Sequence, residues 1–179
     1  MARASPPGAG EPVRIEIRRA RTADVKAIRA LVDTYTEDRR LLSKATVTLY
    51  ESVQEFWVAV DAERDRVVGC GALHVMWEDL AEIRTVAVDP AHRGMKIGHR
   101  LVEELLGAAR ELGVARVFCL TFETRFFGSF GFTEIDGAPV PHAVYEQLLR
   151  SYDEGVAEFL DLERVKPNTL GNKRMLLHL

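Results

Sequence analysis

The sequence predicts a single domain of the α/β (α+β) class, with one mixed, mostly antiparallel sheet flanked by helices. Three observations predict it. Apolar residues recur with strand and helix periods in turn from Val13 to the C-terminus. A strand, a basic glycine turn, a helix and a further strand follow one another between Leu80 and Thr121, which fits a parallel crossover. With 179 residues, 47% of them hydrophobic and 28% charged, the chain suits one packed core.

The first twelve residues, rich in Pro and Gly, are expected to form a disordered tail, and residues 13–179 the domain. Val13 to Ile17 alternates like a strand with one covered face. Thr22 is placed to cap a helix carrying Val25, Ile28, Leu31, Val32 and Tyr35 on one stripe. After the basic segment Arg39 to Lys44, a shorter helix is expected from Thr46 to Gln54. Phe56 to Val60 and Val67 to Met76 suit two hairpin strands joined by a charged loop. A third strand, Leu80 to Val88, ends at Asp89-Pro90, where proline interrupts the ladder. Strict alternation would put Glu82, Arg84, Val86 and Val88 on one face of it. The next helix is read from Leu101, Leu105, Ala108 and Leu112 on one stripe, with Gly113 as its stop. Arg116 to Thr121 is an apolar strand, Glu123 to Phe130 a short aromatic helix and Phe132 to Ile135 a strand. A helix from Pro141 to Tyr152 and a strand from Arg174 to Leu179 complete the reading.

Composition excludes several functions. A formal net charge of −3 supplies no strong positive field, so neither nucleic acid nor a membrane surface is an expected partner. No apolar run reaches the roughly 18 residues of a membrane span. Cys70 and Cys119 lie inside apolar runs, as buried reduced thiols do, which suits the cytoplasm. The five histidines lack metal-ligand spacing, so no metal is expected.

The most informative segment is EIRTVAVDPAHRGMKIG, residues 82–98. It sets backbone N–H groups, Arg93 and Lys96 where a helix begins, a place that attracts phosphate. An ordinary basic loop capped by glycine is the alternative. Neither a Walker A pattern nor G-x-G-x-x-G is present.

Taken with the helix HRLVEELLGAARELG, the strand RVFCLT and the ending FFGSFGF, that segment resembles the GCN5-related N-acetyltransferase family, from about Val13 to Ile135. The resemblance implies a parallel strand pair that splays to admit the pantetheine arm of acetyl-CoA. It also implies an arginine-glycine turn, usually [Q/R]-x-x-G-x-[G/A], that wraps the pyrophosphate. Carried over residue by residue, Arg93 and Gly98 hold the outer motif positions, and Val86 and Val88 supply strand backbone. Gly94, Met95, Lys96, Ile97, Gly98 and His99 line the turn. Lys96 departs from the pattern, standing where the family has its middle glycine. A side chain there must turn from the phosphates or pair with them, and it is strained if the backbone requires φ > 0.

Leu41 to Trp57, GCGALHVMW, LTFET and the C-terminal run from Arg150 to Leu179 resemble more narrowly the short actinobacterial amino-acid N-acetyltransferases of arginine biosynthesis. That likeness implies acetyl transfer from acetyl-CoA to the α-amine of glutamate, with glutamine open, by direct attack in a ternary complex. Glu82 is the candidate base, matching a glutamate often used there in the family; a strand carboxylate paired with Arg84 is the alternative. A dicarboxylate acceptor needs cations, and Lys44, Arg84, Lys173 and Arg174 qualify by location, each of them equally readable as a solvated surface charge. Phe126, Phe127 and Phe130 occupy the region where the family often has a tyrosine acid. They read as core and pantetheine-side packing. The expected partner is a small-molecule amino acid, with homodimer formation open. Two rival readings remain, transfer to another amine such as a peptide N-terminus, polyamine or aminoglycoside, and a non-catalytic acyl-CoA sensor.

Overall fold

A computed structural model describes residues 12–36 and 44–179. The expected N-terminal tail, apart from its last residue, and the basic segment up to residue 43 lie outside the described residues. Seven strands form one sheet in the order β1-β2-β3-β4-β5-β7-β6. They are β1 (Ile15–Arg19), β2 (Phe56–Asp61), β3 (Arg66–Trp77), β4 (Leu80–Val88), β5 (Arg116–Thr121), β6 (Thr133–Glu134) and β7 (Lys173–His178). Every neighbouring pair is antiparallel except β4 with β5. The helices are α1 (Val25–Thr36), α2 (Thr46–Glu51), α3 (Ile97–Glu111), α4 (Thr124–Gly128), α5 (His142–Leu148), α6 (Glu154–Phe159) and α7 (Lys166–Thr169).

Two helices sandwich the first half of the sheet. On one face, Val25, Ile28, Leu31 and Val32 of α1 pack on Val58, Cys70, Ala72 and Ala87. On the other, α3 buries Val102, Leu105, Leu106 and Ala109 against Leu73, Ala81, Ile83, Val117 and Cys119. Gly69 and Gly71 let α3 approach closely, because a Cβ on them would meet Ile97 at 2.9 Å and Leu105 at 3.0 Å. Each leucine so buried contributes about 1.5–3 kcal/mol. A third cluster, under α5 and α6, joins Phe118, Leu148, Val156, Phe159 and Leu176.

Three expectations are corrected. Leu112 lies off the α3 stripe and is 61% exposed. The helix ends at Glu111 with Leu112 as its C-cap, and Gly113, the expected stop, turns the chain at φ 80 while Val114 N–H bonds the Ala109 carbonyl. The helix expected over Pro141 to Tyr152 stops at Leu148. Asp153 then caps a separate helix, accepting a bond from Val156 N–H.

The third correction concerns the faces of β4. Arg84 lies opposite Ala72 and Ala87 opposite Cys70, so β4 carries one residue more than β3 over this stretch. The surplus is a β-bulge at Thr85, whose φ of 59 is left-handed and disfavoured for a β-branched residue. The bulge inverts the alternation. Val86 and Val88 pack on the α3 side with Ile83, whereas Glu82 and Arg84 share the opposite face with Ala87.

Candidate active site

The parallel pairing of β4 with β5 runs through Leu80–Arg116, Ala81–Val117 and Glu82–Phe118 and then stops. Past Glu82 the two strands diverge, and a cleft of about 570 Å³ opens between them. Its walls are Ile83 to Val88 on one side, Leu120 to Glu123 with Phe126 and Phe127 on the other, and the start of α3 at the end. Asp89 N–H bonds the Val68 carbonyl on β3, so by strand alternation the main-chain groups of Val86 and Val88 face the cleft. Tyr35 also lines it and gives its hydroxyl proton to the Val88 carbonyl.

At the α3 end the chain forms a basic turn shaped to receive an anion. Asp89 accepts from Ala91 N–H at 2.9 Å and from Arg66 at 2.8 Å, fixing the turn Pro90–His92. Gly94 has φ 83, and Lys96, at the N-cap of α3, has φ 56 and ψ 22. No side chain caps α3, leaving its first amides directed outward. Arg93, Gly94, Lys96, Ile97, Gly98 and His99 all line the cleft. Met95 does not; its side chain packs with Ala59, Val68, Ile97 and Leu101. His99 rests against the rings of Phe126 and Phe130, both at 4.9 Å between centroids. Cleft-facing strand backbone, a 15-residue helix with uncapped amides, and two adjacent cations together fit an elongated ligand with a pyrophosphate.

Where β4 leaves β5, on the face away from α3, a half-buried polar network gathers around the buried Glu82. Arg84 donates to Asp153 at 2.7 and 2.9 Å and to Glu55 at 3.2 Å. His74 Nδ1 lies 2.7 Å from Glu55, and its Nε2 lies 3.7 Å from Asp153. Glu82 is 2% exposed, 3.5 Å from Arg84, and its Oε2 has no hydrogen-bond partner among the described residues. Burial raises its pKa, and the Arg84 charge opposes the rise. Glu82 does not line the cleft itself; Arg84 does, and Glu82 sits one residue behind Ile83 at the fork. Burial, and next the Arg84 charge, lowers the Lys44 pKa, while Glu82, Asp153 and Glu55 act against that.

The other two cations are placed elsewhere. The Lys173 ammonium is 3.6 Å from Glu134 at the sheet edge. Arg174 donates to the carbonyls of Glu158, Gly137 and Phe159 and stacks on Phe118 at 5.4 Å. It ties β7 to α6. Burial, with Glu82 nearby, pushes the Cys119 thiol well above its ordinary pKa, so it offers no thiolate nucleophile. Among the described residues no cluster of His, Cys, Asp and Glu is built to hold a metal. No helix among them is long and apolar enough to cross a membrane.

Sequence reasoning did not find Tyr35, His92, Thr121 or Glu123 on the cleft, nor Glu55, His74, Asp153 and Glu158 around Arg84 and Glu82. Only Asp153, as an N-cap followed by Gly155, carried a local signal.

Comparison with known proteins agrees with this geometry. Residues 25–132 match the Acetyltransferase (GNAT) family. An amino-acid acetyltransferase of Mycobacterium tuberculosis is 64% identical over 162 residues, covering 90% of this chain and 92% of that protein. The crystal structure of Rv2747 from Mycobacterium tuberculosis in complex with CoA and NLQ superposes with a TM-score of 0.89 at 63% identity, over 92% of this chain and 99% of that one. N-acetylglutamate synthase from Neisseria gonorrhoeae, complexed with coenzyme A and N-acetyl-glutamate, shares the fold with a TM-score of 0.73 at 22% identity, over 94% of this chain and 36% of that one. A match over more than half the chain, and a relative this similar along nearly all of it, lead to one conclusion: the chain belongs to the GNAT acetyltransferase family.

Proposed function

We propose that this protein transfers the acetyl group of acetyl-CoA to the α-amine of L-glutamate in a ternary complex, the opening reaction of arginine biosynthesis. The observation that carries the reading is the fork at Glu82–Phe118, with an anion site at the far end of its cleft and a buried carboxylate beside an arginine at its apex. The 64% identical amino-acid acetyltransferase supports the class of acceptor.

Each part of the chain has a task. The α3 amides, Arg93 and Lys96 bind the pyrophosphate of the donor. Cleft-facing groups of Val86 and Val88 align the arm, and Phe126 and Phe127 exclude water beside it. Acetyl-CoA supplies the activated acyl group. Arg84, held by Asp153 and Glu55, and Lys44 orient the acceptor carboxylates. Glu82 accepts the proton that the ammonium must lose before it attacks, and burial makes it a stronger base than an exposed glutamate.

One observation favours L-glutamine as a second acceptor. Glu55, Asp153 and Glu82 surround Lys44 and Arg84, so a second acceptor carboxylate meets more like charges than a neutral carboxamide does. A screen of free amino acids with acetyl-CoA, following thiol release, tests the reading. Turnover with glutamate or glutamine above all others is expected; turnover only with cationic amines refutes it. The reading places the enzyme in the cytoplasm, and light scattering distinguishes monomer from homodimer.

A further inference from the structure

Glu158 has no part in the reaction as described, yet it is 6% exposed and its Oε1 has no hydrogen-bond partner among the described residues. Such buried polar atoms are uncommon and call for an explanation. The same condition holds for Oε2 of Glu82 and Nε of Arg84, so three unpartnered buried polar atoms belong to one neighbourhood. Helix α6 brings them together. A Cβ on Gly155 would collide with Glu82 Oε2 and lie 2.9 Å from Arg84 Nη1, so α6 is seated directly on the Glu82 carboxylate. Glu158 is three residues further along, on the same side of the helix as Gly155.

We propose that Glu158 is a positioning residue for acetyl transfer, forming with Glu82 a buried carboxyl pair that shares one proton, which Arg84 keeps on Glu158 so that Glu82 is free to receive the proton of the acceptor amine. Two neighbouring buried carboxyls do not both ionise readily. The guanidinium 3.5 Å from Glu82 stabilises charge there. No lysine, arginine or histidine among the described residues lies within salt-bridge distance of Glu158, so no ion pair opposes the burial that favours its protonated form. The direction agrees, since burial, then the charges of Glu82 and Glu154, push the Glu158 pKa up to about 7.

The charged groups facing the pair come from several elements. Glu82 and Arg84 are on β4, His74 on β3 and Glu55 before β2. Lys44 precedes α2, and Asp153 and Glu154 belong to the start of α6. Arg174 of β7 is bonded to the Glu158 carbonyl. The proton balance is simple: the acceptor ammonium gives one proton to the Glu82 carboxylate, and Glu158 keeps its own. When Glu158 ionises at higher pH, its charge makes Glu82 a stronger base.

The inference rests on Glu82 acting as the base, but its test separates the two ideas. Carboxyl-¹³C glutamate NMR on the full chain, with the Glu82 signal assigned through Glu82→Gln, follows the pair without any acceptor. The Glu82 signal should show a second inflection near pH 7, lost in Glu158→Gln and retained, at a shifted pH, in Glu158→Asp. The pH profile of kcat/KM should rise through the same inflection in the wild type and lack that rise in Glu158→Gln. A Glu82 titration identical in wild type and Glu158→Gln overturns the pairing. An NMR coupling that is present while Glu82→Gln turns over normally upholds the carboxyl pair and overturns both the base and the positioning role.

Discussion

Lys96 offers a perturbation in which stability and affinity should move in opposite directions. Its φ of 56 and ψ of 22 place an L-residue in left-handed backbone at the N-cap of α3. That conformation costs a non-glycine residue about 1–2 kcal/mol. Glycine removes this cost but gives the unfolded chain additional entropy, about 0.4–1 kcal/mol. Lys96→Gly is therefore expected to stabilise the free protein by about 1 kcal/mol, a rise of about 2–4 °C in Tm for a domain of this size. Lys96→Ala keeps the backbone cost and loses only the cation, so its Tm should not rise. Both variants lose an exposed charge next to the proposed pyrophosphate site, and both should bind acetyl-CoA more weakly by the same factor, about twofold to fivefold, as befits a solvent-screened pair of up to about 1 kcal/mol. Differential scanning fluorimetry without ligand and calorimetric titration with acetyl-CoA read the two effects separately. A lower Tm for Lys96→Gly than for Lys96→Ala would refute the claim that the turn is strained at this position.

Arg93→Glu should keep its fold and lose most of the Tm increase that acetyl-CoA gives the wild type; an undiminished increase removes the turn from the donor site. Glu82→Gln should bind acetyl-CoA normally with kcat lower by about 10²–10⁴-fold, and near-normal turnover across pH contradicts its role as base. Alanine at Lys44 or Arg84 should raise the amino-acid KM far more than the acetyl-CoA KM. Alanine at Arg174 should instead lower Tm, since its guanidinium ties α6 to β7. A selective KM effect for Arg174→Ala would return it to the acceptor site. Asp24 is held below the usual carboxylate range chiefly by its hydrogen bond from Arg18. The unfolded chain then takes up this proton first as pH falls. The stabilisation is full above the ordinary aspartate pKa and disappears as pH drops through the lower folded value. Urea unfolding should show a shallower loss of stability between pH 5 and about 2 for Asp24→Asn than for wild type.

Most elements were legible because their apolar periods are long: the buried stripe spans about two turns of α1 and about three of α3, and β2, β3 and β5 are largely apolar runs bounded by turns. Helices α6 and α7 were not, for six and four residues contain too little of a helical period to register. The bulge at Thr85 left no trace either. In Glu-Ile-Arg-Thr-Val-Ala-Val, the polar pair Arg84-Thr85 is followed by three apolar residues that suit either face, so a one-residue slip reverses every later side chain without changing the pattern. The turn from Arg93 to His99, proposed to bind the donor, is one contiguous segment in the sequence, and within it only the Met95 side chain turns to the core and not to the cleft. The polar network proposed to bind the acceptor gathers Lys44, Glu55, His74, Arg84, Asp153 and Glu158, which only folding brings together. Lys173 and Arg174 were placed there on likeness alone, and the sheet edge and the α6 carbonyls hold them instead.

The inversion at Thr85 gives β4 two addresses. Below it, Glu82 and Arg84 lie on the face away from α3; above it, Val86 and Val88 lie on the α3 face, and of the lower pair only Arg84 also lines the cleft. On the proposed function, selection for a new acceptor can rewrite β3, α6 and Glu82 while the Val86 and Val88 backbone that aligns the acyl donor stays as it is. A strand with unbroken alternation would couple those changes, and every shift in acceptor preference would disturb the part of the protein that every acceptor needs.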